Sequence, residues 1–432
     1  MPPIPPPRQI ARYAASDLRL RWSDFRGYTP TDRNLYYLCI EIIWAGLAGG
    51  ALAFNGPFVL KLGGSTAEIG AMAALPALMT ILFSIPAARF LERRSRQKPL
   101  VIGSLALGRA FFLLIALVPV LLPAHLQAGA VVVCVTLQAI PIALFNAGFM
   151  ALIGDICPPD RRPSLFAARN IFLAGSVAVG AFLSGLWLER IPFPYNYQTL
   201  NVIGFALSEY STYLVSRLAF PIHVPRPAPA AGRPTLDWGQ VRTVLRERRA
   251  YVNINIASLI GGFGAWAAGP LYTVFFVNTL QLGEAWLGTN ATLVQIGSIA
   301  GAAVWIRLIR RKGNYWVLLR GLALCWVYPI AIVLVPHAWP MLAFGFLTAL
   351  NEVGIGLTHF NILLDLCPQE RRSSYLAVHT TLMNTGAMIA PLLSVPAANL
   401  VGIPAILVVC GLIRLLGTLA FNLLPIKPPK PV

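Results

Sequence analysis

Six charged residues stand inside apolar stretches long enough to cross a membrane: Glu41, Arg109, Glu209, Arg320, Glu352 and Arg414. A charge at that depth costs several kcal/mol unless it is paired or hydrated, so each is a candidate for solute binding or ion coupling. A carboxylate with little water around it can hold a proton near neutral pH, take it up in one conformer and release it in another. No His, Cys and carboxylate cluster has metal-ligand spacing and no Gly-rich phosphate loop is present, so neither metal nor cofactor is expected. No nucleophile and base stand at a recognisable spacing, and an enzyme is not expected.

The elements that must position these charges follow from composition. The 432 residues are 57% apolar and only 12% charged, the balance of a polytopic membrane protein. Runs of about 20 apolar residues, each able to cross as a helix, occupy residues 35–59, 68–90, 100–122, 128–153, 165–188, 197–220, 251–277, 286–308, 315–336, 339–363, 375–398 and 403–424. This predicts an all-α membrane protein of about twelve helices. With the N-terminus inside, 29 of the 34 Lys and Arg fall on the cytoplasmic side, while the other side has only Lys61 and Arg190. That asymmetry places both termini in the cytoplasm, and it accounts for the net charge of +18 without nucleic acid. The first 33 residues lack the apolar core of a cleaved signal peptide, so a multi-pass inner-membrane protein, N-in and C-in, is expected. The six cysteines lie within helices or at their cytoplasmic ends and read as small packing residues.

The chain also repeats itself. DICPPDRR (155–162) returns 210 positions later as DLCPQERR (365–372), and RRPSLFAARN (161–170) aligns with RRSSYLAVHT (371–380) at the same offset. Gly56-Pro57 answers Gly269-Pro270, and Arg109 answers Arg320. Six helices have been duplicated. The expected organisation is an N-terminal extension (1–33), a six-helix bundle (34–222), a Pro/Ala-rich then basic linker (223–250), a second six-helix bundle (251–425) and a short tail (426–432).

From residue 33 to 425 the chain resembles the major facilitator superfamily. ARFLERRSRQK (88–98) is similar to that family's loop between helices 2 and 3, with Glu92 for its acid, Arg93 and Arg96 retained and both glycines replaced. IRRKGNYW (309–316) is the weaker second copy, and the loops after helices 4 and 10 match the family's acidic and P-x-x-R-R pattern. The resemblance implies two pseudo-symmetric halves rocking about a central cavity. It assigns Glu92, Arg93, Arg96, Asp155, Arg161, Arg162, Asp365, Arg371 and Arg372 to a conformational latch, with topology signalling alone as the plainer reading.

Because the family's helices 1, 4, 7 and 10 line the cavity, the resemblance places Glu41, Gln138, Asn146, Asn253, Asn255, Trp266, Asn351, Glu352, Thr358 and His359 along it. Glu41 and Glu352 then become candidates for proton coupling. The opposing readings are that Glu352 neutralises Arg320 or Arg414 and that Glu41 reaches back to the surface. Helices 5 and 11 add Arg169, Asn170, His379 and Asn384. Arg109 and Glu209, at similar depth on neighbouring helices of the family, are expected to form a structural ion pair. The histidines read as packing residues, since buried polar side chains often only bond adjacent helices.

The expected function is secondary active transport of a small organic solute, neutral or lipophilic because no arginine cluster faces inward, by a monomer in the lipid bilayer. The alternative is a non-transporting assembly factor or receptor of the same fold. The eroded loop glycines and the RYAASDLRLRWSDFRGY segment (12–28), able to lie on an anionic leaflet, support it.

Overall fold

A computed structural model describes residues 29–94, 97–158, 160–219, 249–367 and 372–426. Fourteen α-helices are found among them. The first six crossings are α1 (Pro30–Leu52) with its continuation α2 (Asn55–Lys61), then α3 (Thr66–Glu92), α4 (Gln97–Leu121), α5 (Ala124–Ile156), α6 (Arg162–Arg190) and α7 (Tyr195–Ser216). The second six are α8 (Arg249–Val274), α9 (Glu284–Lys312), α10 (Asn314–Leu322) with α11 (Val327–Leu334), α12 (Ala338–Leu366), α13 (Arg372–Val401) and α14 (Ile403–Leu423). Residues 29 and 426 therefore lie on one side, the terminal face, and α3, α5, α7, α9, α12 and α14 start from the opposite, far face.

Local chemistry sets the boundaries. The Thr29 hydroxyl accepts from the Asp32 backbone ahead of Pro30, and Ser65 and Glu68 form a reciprocal capping box at the start of α3. Gly313 (φ 83°) and Gly402 (φ 91°) separate α9 from α10 and α13 from α14 at positive φ, where a side chain would be strained. Prolines within α3, α4, α5, α8 and α13 are tolerated because neighbouring helices and hydroxyls take up the freed backbone groups. α8 ends in a π-helical turn, Phe275–Thr279.

Eleven helical spans are apolar enough to cross a membrane by length and composition. α7 is the twelfth crossing and falls short because its buried face carries Asn196, Asn201, Ser208, Ser211 and Thr212. Ser208, Ser211 and Thr212 serve the charges described below, while Asn196 and Asn201 donate to the Leu188 and Tyr197 carbonyls.

The two sets of six repeat one packing scheme. In the first, α1 packs on α6 and α7, α3 on α5, and α4 on α5 and α7. In the second, α8 packs on α13 and α14, α9 on α12, α10 on α12 and α11 on α14. Between the sets, α6 packs on α9 and α3 on α13, with smaller contacts from α2 and α3 to α8. Helix association in lipid depends on close backbone approach rather than on burying grease. At the α6–α9 crossing the approach is extreme: a Cβ on Gly288 would stand 2.6 Å from the Ala181 carbonyl oxygen and 3.0 Å from the Gly185 Cα.

The proposed linker and the predicted N-terminal extension and tail fall largely outside the described residues, as do Arg96 and Arg371.

Candidate functional site

The two halves place polar side chains at equivalent positions and fill them differently. In the first, Arg169, eight residues after Arg161, reaches from α6 to α1, where it meets Glu41 at 2.6 Å and also donates to the Leu38 carbonyl. Both side chains are almost fully buried, and Ser211 of α7 donates to the other Glu41 oxygen at 2.8 Å. In the second half His379 stands eight residues after Arg371 and reaches from α13 to α8, where its Nδ1 meets Asn255 Oδ1 at 2.8 Å. An ion pair in one copy is answered by an imidazole–amide pair in the other.

Glu41 therefore does not reach the surface. It is held by Arg169. Arg109 and Glu209 lie within electrostatic reach of each other, but the guanidinium's hydrogen bonds among the described residues go to the Ser208 carbonyl, to Thr212 at 2.7 Å and to Ser211 at 3.1 Å. This is why α7 carries hydroxyls, since a buried guanidinium has five donors to satisfy. Arg320 is exposed and lies over the Trp316 ring at 5.6 Å.

Glu352 pairs with Arg414 of α14 at 2.5 Å; the guanidinium is buried while the carboxylate is 44% exposed. One side of α12 packs on α9, with Phe346 and Leu350 against Gly297 and Gly301, and another on α10 through Asn351, which donates to the Gly321 carbonyl. His359, two turns from Glu352, touches Ser258 of α8. The arc of α12 between α8 and α9 carries Glu352, Gly356 and Phe360, all exposed. Since α8 and α9 are helices that touch the first half, this arc looks toward it. The Tyr272 hydroxyl, within electrostatic reach of Arg414 and Glu352, is buried with no hydrogen-bond partner among the described residues. Its ring lies 5.2 Å from Tyr328.

The other predicted candidates divide. Gln138 donates to the Gly108 carbonyl at 2.9 Å, Asn253 to the Pro425 carbonyl at 3.0 Å and Thr358 to the Gly354 carbonyl at 2.7 Å, so these tie helices or turns together. Trp266 packs against Gly262 and Gly386. Asn146 and Asn170 are exposed and Asn384 is half-buried. A groove of about 520 Å³ between α3, α4 and α5, lined by Phe83, Phe90, Leu107 and Leu144 among others, is apolar and holds none of the candidates.

Of the predicted latch, Arg93 and Asp365 are exposed, Arg162 donates to the Cys157 carbonyl at 3.0 Å, and Arg161 pairs with Asp32 of α1 at 2.9 Å. The side chains of Glu92, Asp155 and Arg372, with all of Arg96 and Arg371, lie outside the described residues.

A clasp not anticipated from sequence joins the halves at the far face. Lys61, closing α2, forms an ion pair with Glu284, opening α9, and the same Glu284 oxygen accepts from the Tyr197 hydroxyl at 3.3 Å. Beside it Thr292 donates to the Ala178 carbonyl at 2.9 Å, Gly56 abuts Thr273 and Gly70 abuts Val395. These contacts all lie toward the far face. Toward the terminal face Asn170 and Ile171 of α6 and Ala377, Thr380 and Thr381 of α13 are exposed, so the halves part there. In a cysteine-free background, Glu284→Gln is expected to raise impermeant-maleimide labelling of Thr292→Cys from the far face about fivefold, as loss of about 1 kcal/mol from a half-exposed pair would do. An unchanged labelling rate would mean the pair does not hold that face shut.

Comparison with known proteins agrees with this architecture. A "Putative sugar efflux transporter" of Deinococcus radiodurans is 23% identical over 383 residues, spanning 85% of this chain and 93% of that protein. The crystal structure of the nucleoside transporter NupG (D323A mutant) superposes with a TM-score of 0.69 at 12% identity, over 90% of this chain and 99% of that one. A bacterial homologue of the iron transporter ferroportin, in an inward-facing state, gives 0.68 at 11% identity over 90% and 98%. A bacterial homologue of the human lysosomal transporter Spinster, inward-facing and occupied, gives 0.67 at 13% identity over 92% and 97%. The family model of the Major Facilitator Superfamily matches residues 38–249 and 254–432, and this chain, a multi-pass membrane protein, belongs to that family of transporters.

Proposed function

We propose that the protein is a secondary active transporter that carries a small, neutral, hydroxylated solute by alternating access, a sugar being the first candidate. The observation that carries this reading is the half-exposed Glu352 paired with Arg414 on the arc of α12 that looks toward the other half. The pair offers strong hydrogen-bond donors and acceptors yet has no net charge, which suits hydroxyl groups and penalises an anion or a cation. The unpartnered Tyr272 hydroxyl beside it adds one more polar group. The name of the Deinococcus relative gives the solute class a second support. The family and the parting of the halves at one face favour a carrier over the assembly-factor reading and over an enzyme.

The arginine asymmetry supports an inner-membrane protein with the terminal face in the cytoplasm, so that the halves part on the cytoplasmic side. One chain supplies both halves, so a monomer in lipid suffices. The loop residues Arg93, Arg161, Arg162 and Asp365, with those outside the described set, are the terminal-face counterpart of the Lys61–Glu284 clasp, engaging when that face closes. Glu352 is the carboxylate of the original pair that remains a coupling candidate, whereas Glu41 is held by Arg169.

The test is a thermal-shift panel of glucose, galactose, arabinose, lactose and maltose on the purified protein. A solute that binds only the native fold raises its melting temperature. At least one sugar is expected to do so, and Glu352→Gln to weaken its apparent affinity tenfold or more, as loss of a charge-assisted hydrogen bond would. No shift with any sugar, or an affinity indifferent to Glu352→Gln, would refute the assigned solute class or site.

A further inference from the structure

We propose that His359 and His379 form a two-imidazole site that binds one coupling proton, at the position where the first half keeps its fixed Arg169–Glu41 pair. This rests on the transporter reading for its purpose, though not for its existence. The rings come from different helices, α12 and α13, and their centroids are 5.3 Å apart. His359 is seven residues from Leu366, where α12 ends, and His379 is seven from Arg372, where α13 starts. Both therefore sit about two turns, or 10 Å, inside the terminal face, toward which the halves part.

The hydrogen bonds fix the chemistry of His379. The Asn255 amide donates through Nδ2 to the Tyr251 carbonyl at 2.7 Å, so the atom facing His379 Nδ1 is an acceptor oxygen. Nδ1 must carry the hydrogen, and Nε2 is left as the basic atom. His359 meets the Ser258 hydroxyl at 2.7 Å, a group that serves either ring state by turning its proton. Among the described residues, the groups around the rings are uncharged: α8 contributes Asn255, Ser258 and Tyr251, α13 Tyr375, and α14 the Phe421 ring. On α12 itself Glu352 is two turns deeper and held by Arg414, and Asp365 is exposed near the helix end.

Two imidazolium charges at this separation repel, so a first proton on the pair opposes a second. The first half has at this place a direct Arg169–Glu41 contact at 2.6 Å instead of two imidazoles. His359 and Glu352 share a face of α12 about 10 Å apart along the axis. That face runs from the terminal side past the histidines to the solute site, so proton and solute occupy one continuous path.

Histidine-selective ¹⁵N labelling gives five imidazoles, His125, His223, His337, His359 and His379, which single substitutions assign. Between pH 8 and pH 4 the pair is expected to bind one proton, with both ring signals moving together. His359→Gln should leave His379 with one simple titration step and remove the second, low-pH step, because no second imidazolium then opposes the first. Asn255→Asp, which sets a carboxylate against His379 Nδ1, should keep His379 protonated up to pH 8. Rings that stay neutral down to pH 4, or that titrate without regard to each other, overturn the site. For a sugar that binds in the panel above, accumulation in proteoliposomes driven by a pH step should be lost with His359→Gln and kept with His337→Gln, an exposed histidine outside the site. Retained pH-driven accumulation refutes the coupling. A panel without a binder refutes the transporter reading instead, and the titration then judges the site alone.

Discussion

Arg169→Ala is expected to destabilise the protein by about 3 kcal/mol, because it removes the cation in direct contact with the buried Glu41 carboxylate and leaves only Arg109, beyond Ser211, to offset it. Glu41 side-chain exposure is 4%, and the remaining donor to it is the Ser211 hydroxyl. The Leu38 carbonyl loses its donor as well. The discriminating experiment is the cycle with Glu41→Gln, followed by thermal denaturation in detergent. The neutral amide no longer needs a cation, so the double variant should recover at least half of the stability that Arg169→Ala loses. A single variant that melts like the wild type would mean Glu41 can find water. That would return it to the cavity role that its position on the first crossing suggests.

Gly288→Val is expected to abolish transport by acting on the conformational equilibrium. A Cβ at Gly288 would meet the Ala181 carbonyl at 2.6 Å and the Gly185 Cα at 3.0 Å, and both are backbone, so no side-chain rotation relieves the clash. α6 and α9 must separate, and closure of the far face then carries an overpacking cost of about 1–3 kcal/mol. The closed conformer falls roughly 5- to 150-fold in population, and a carrier that cannot seal one face cannot complete its cycle. Gly175→Ala on the same helix α6, where a Cβ would meet nothing, provides the control. Transport by Gly288→Val equal to that of Gly175→Ala would show that the α6–α9 crossing does not close in the cycle.

The two variants mark the limits of what the sequence discloses. The crossings, the internal duplication and the family were legible, because a membrane helix needs a long apolar run and the 210-residue offset survives around the RR motifs. That offset also aligned Arg169 with His379, and the structure gives the alignment meaning by setting both against the first crossing of their half. Partners were not legible. Lipid-facing and protein-facing sides of a membrane helix are both apolar, so hydropathy leaves the rotation of each helix about its axis undetermined. Hence Glu41 and Glu352 looked alike, although one is locked to Arg169 and the other half-exposed beside Arg414. Arg109 and Arg320 looked equivalent, although one is enclosed by the hydroxyls of α7 and the other exposed over Trp316. The Lys61–Glu284 clasp joins residues more than 200 positions apart. Its one signal in the sequence was that Lys61 is among the very few basic residues on its side of the membrane.

The most direct test of the whole account is counterflow in proteoliposomes preloaded with each unlabelled sugar of the panel and diluted into the labelled one. Counterflow requires a site that faces the two sides alternately and needs no ion gradient, so it isolates the carrier cycle from its coupling. At least one sugar should accumulate transiently above protein-free liposomes, and the signal should vanish with Gly288→Val and fall tenfold or more with Glu352→Gln. Flux indistinguishable from protein-free liposomes for every sugar would contradict the assignment of this chain as a carrier of neutral hydroxylated solutes.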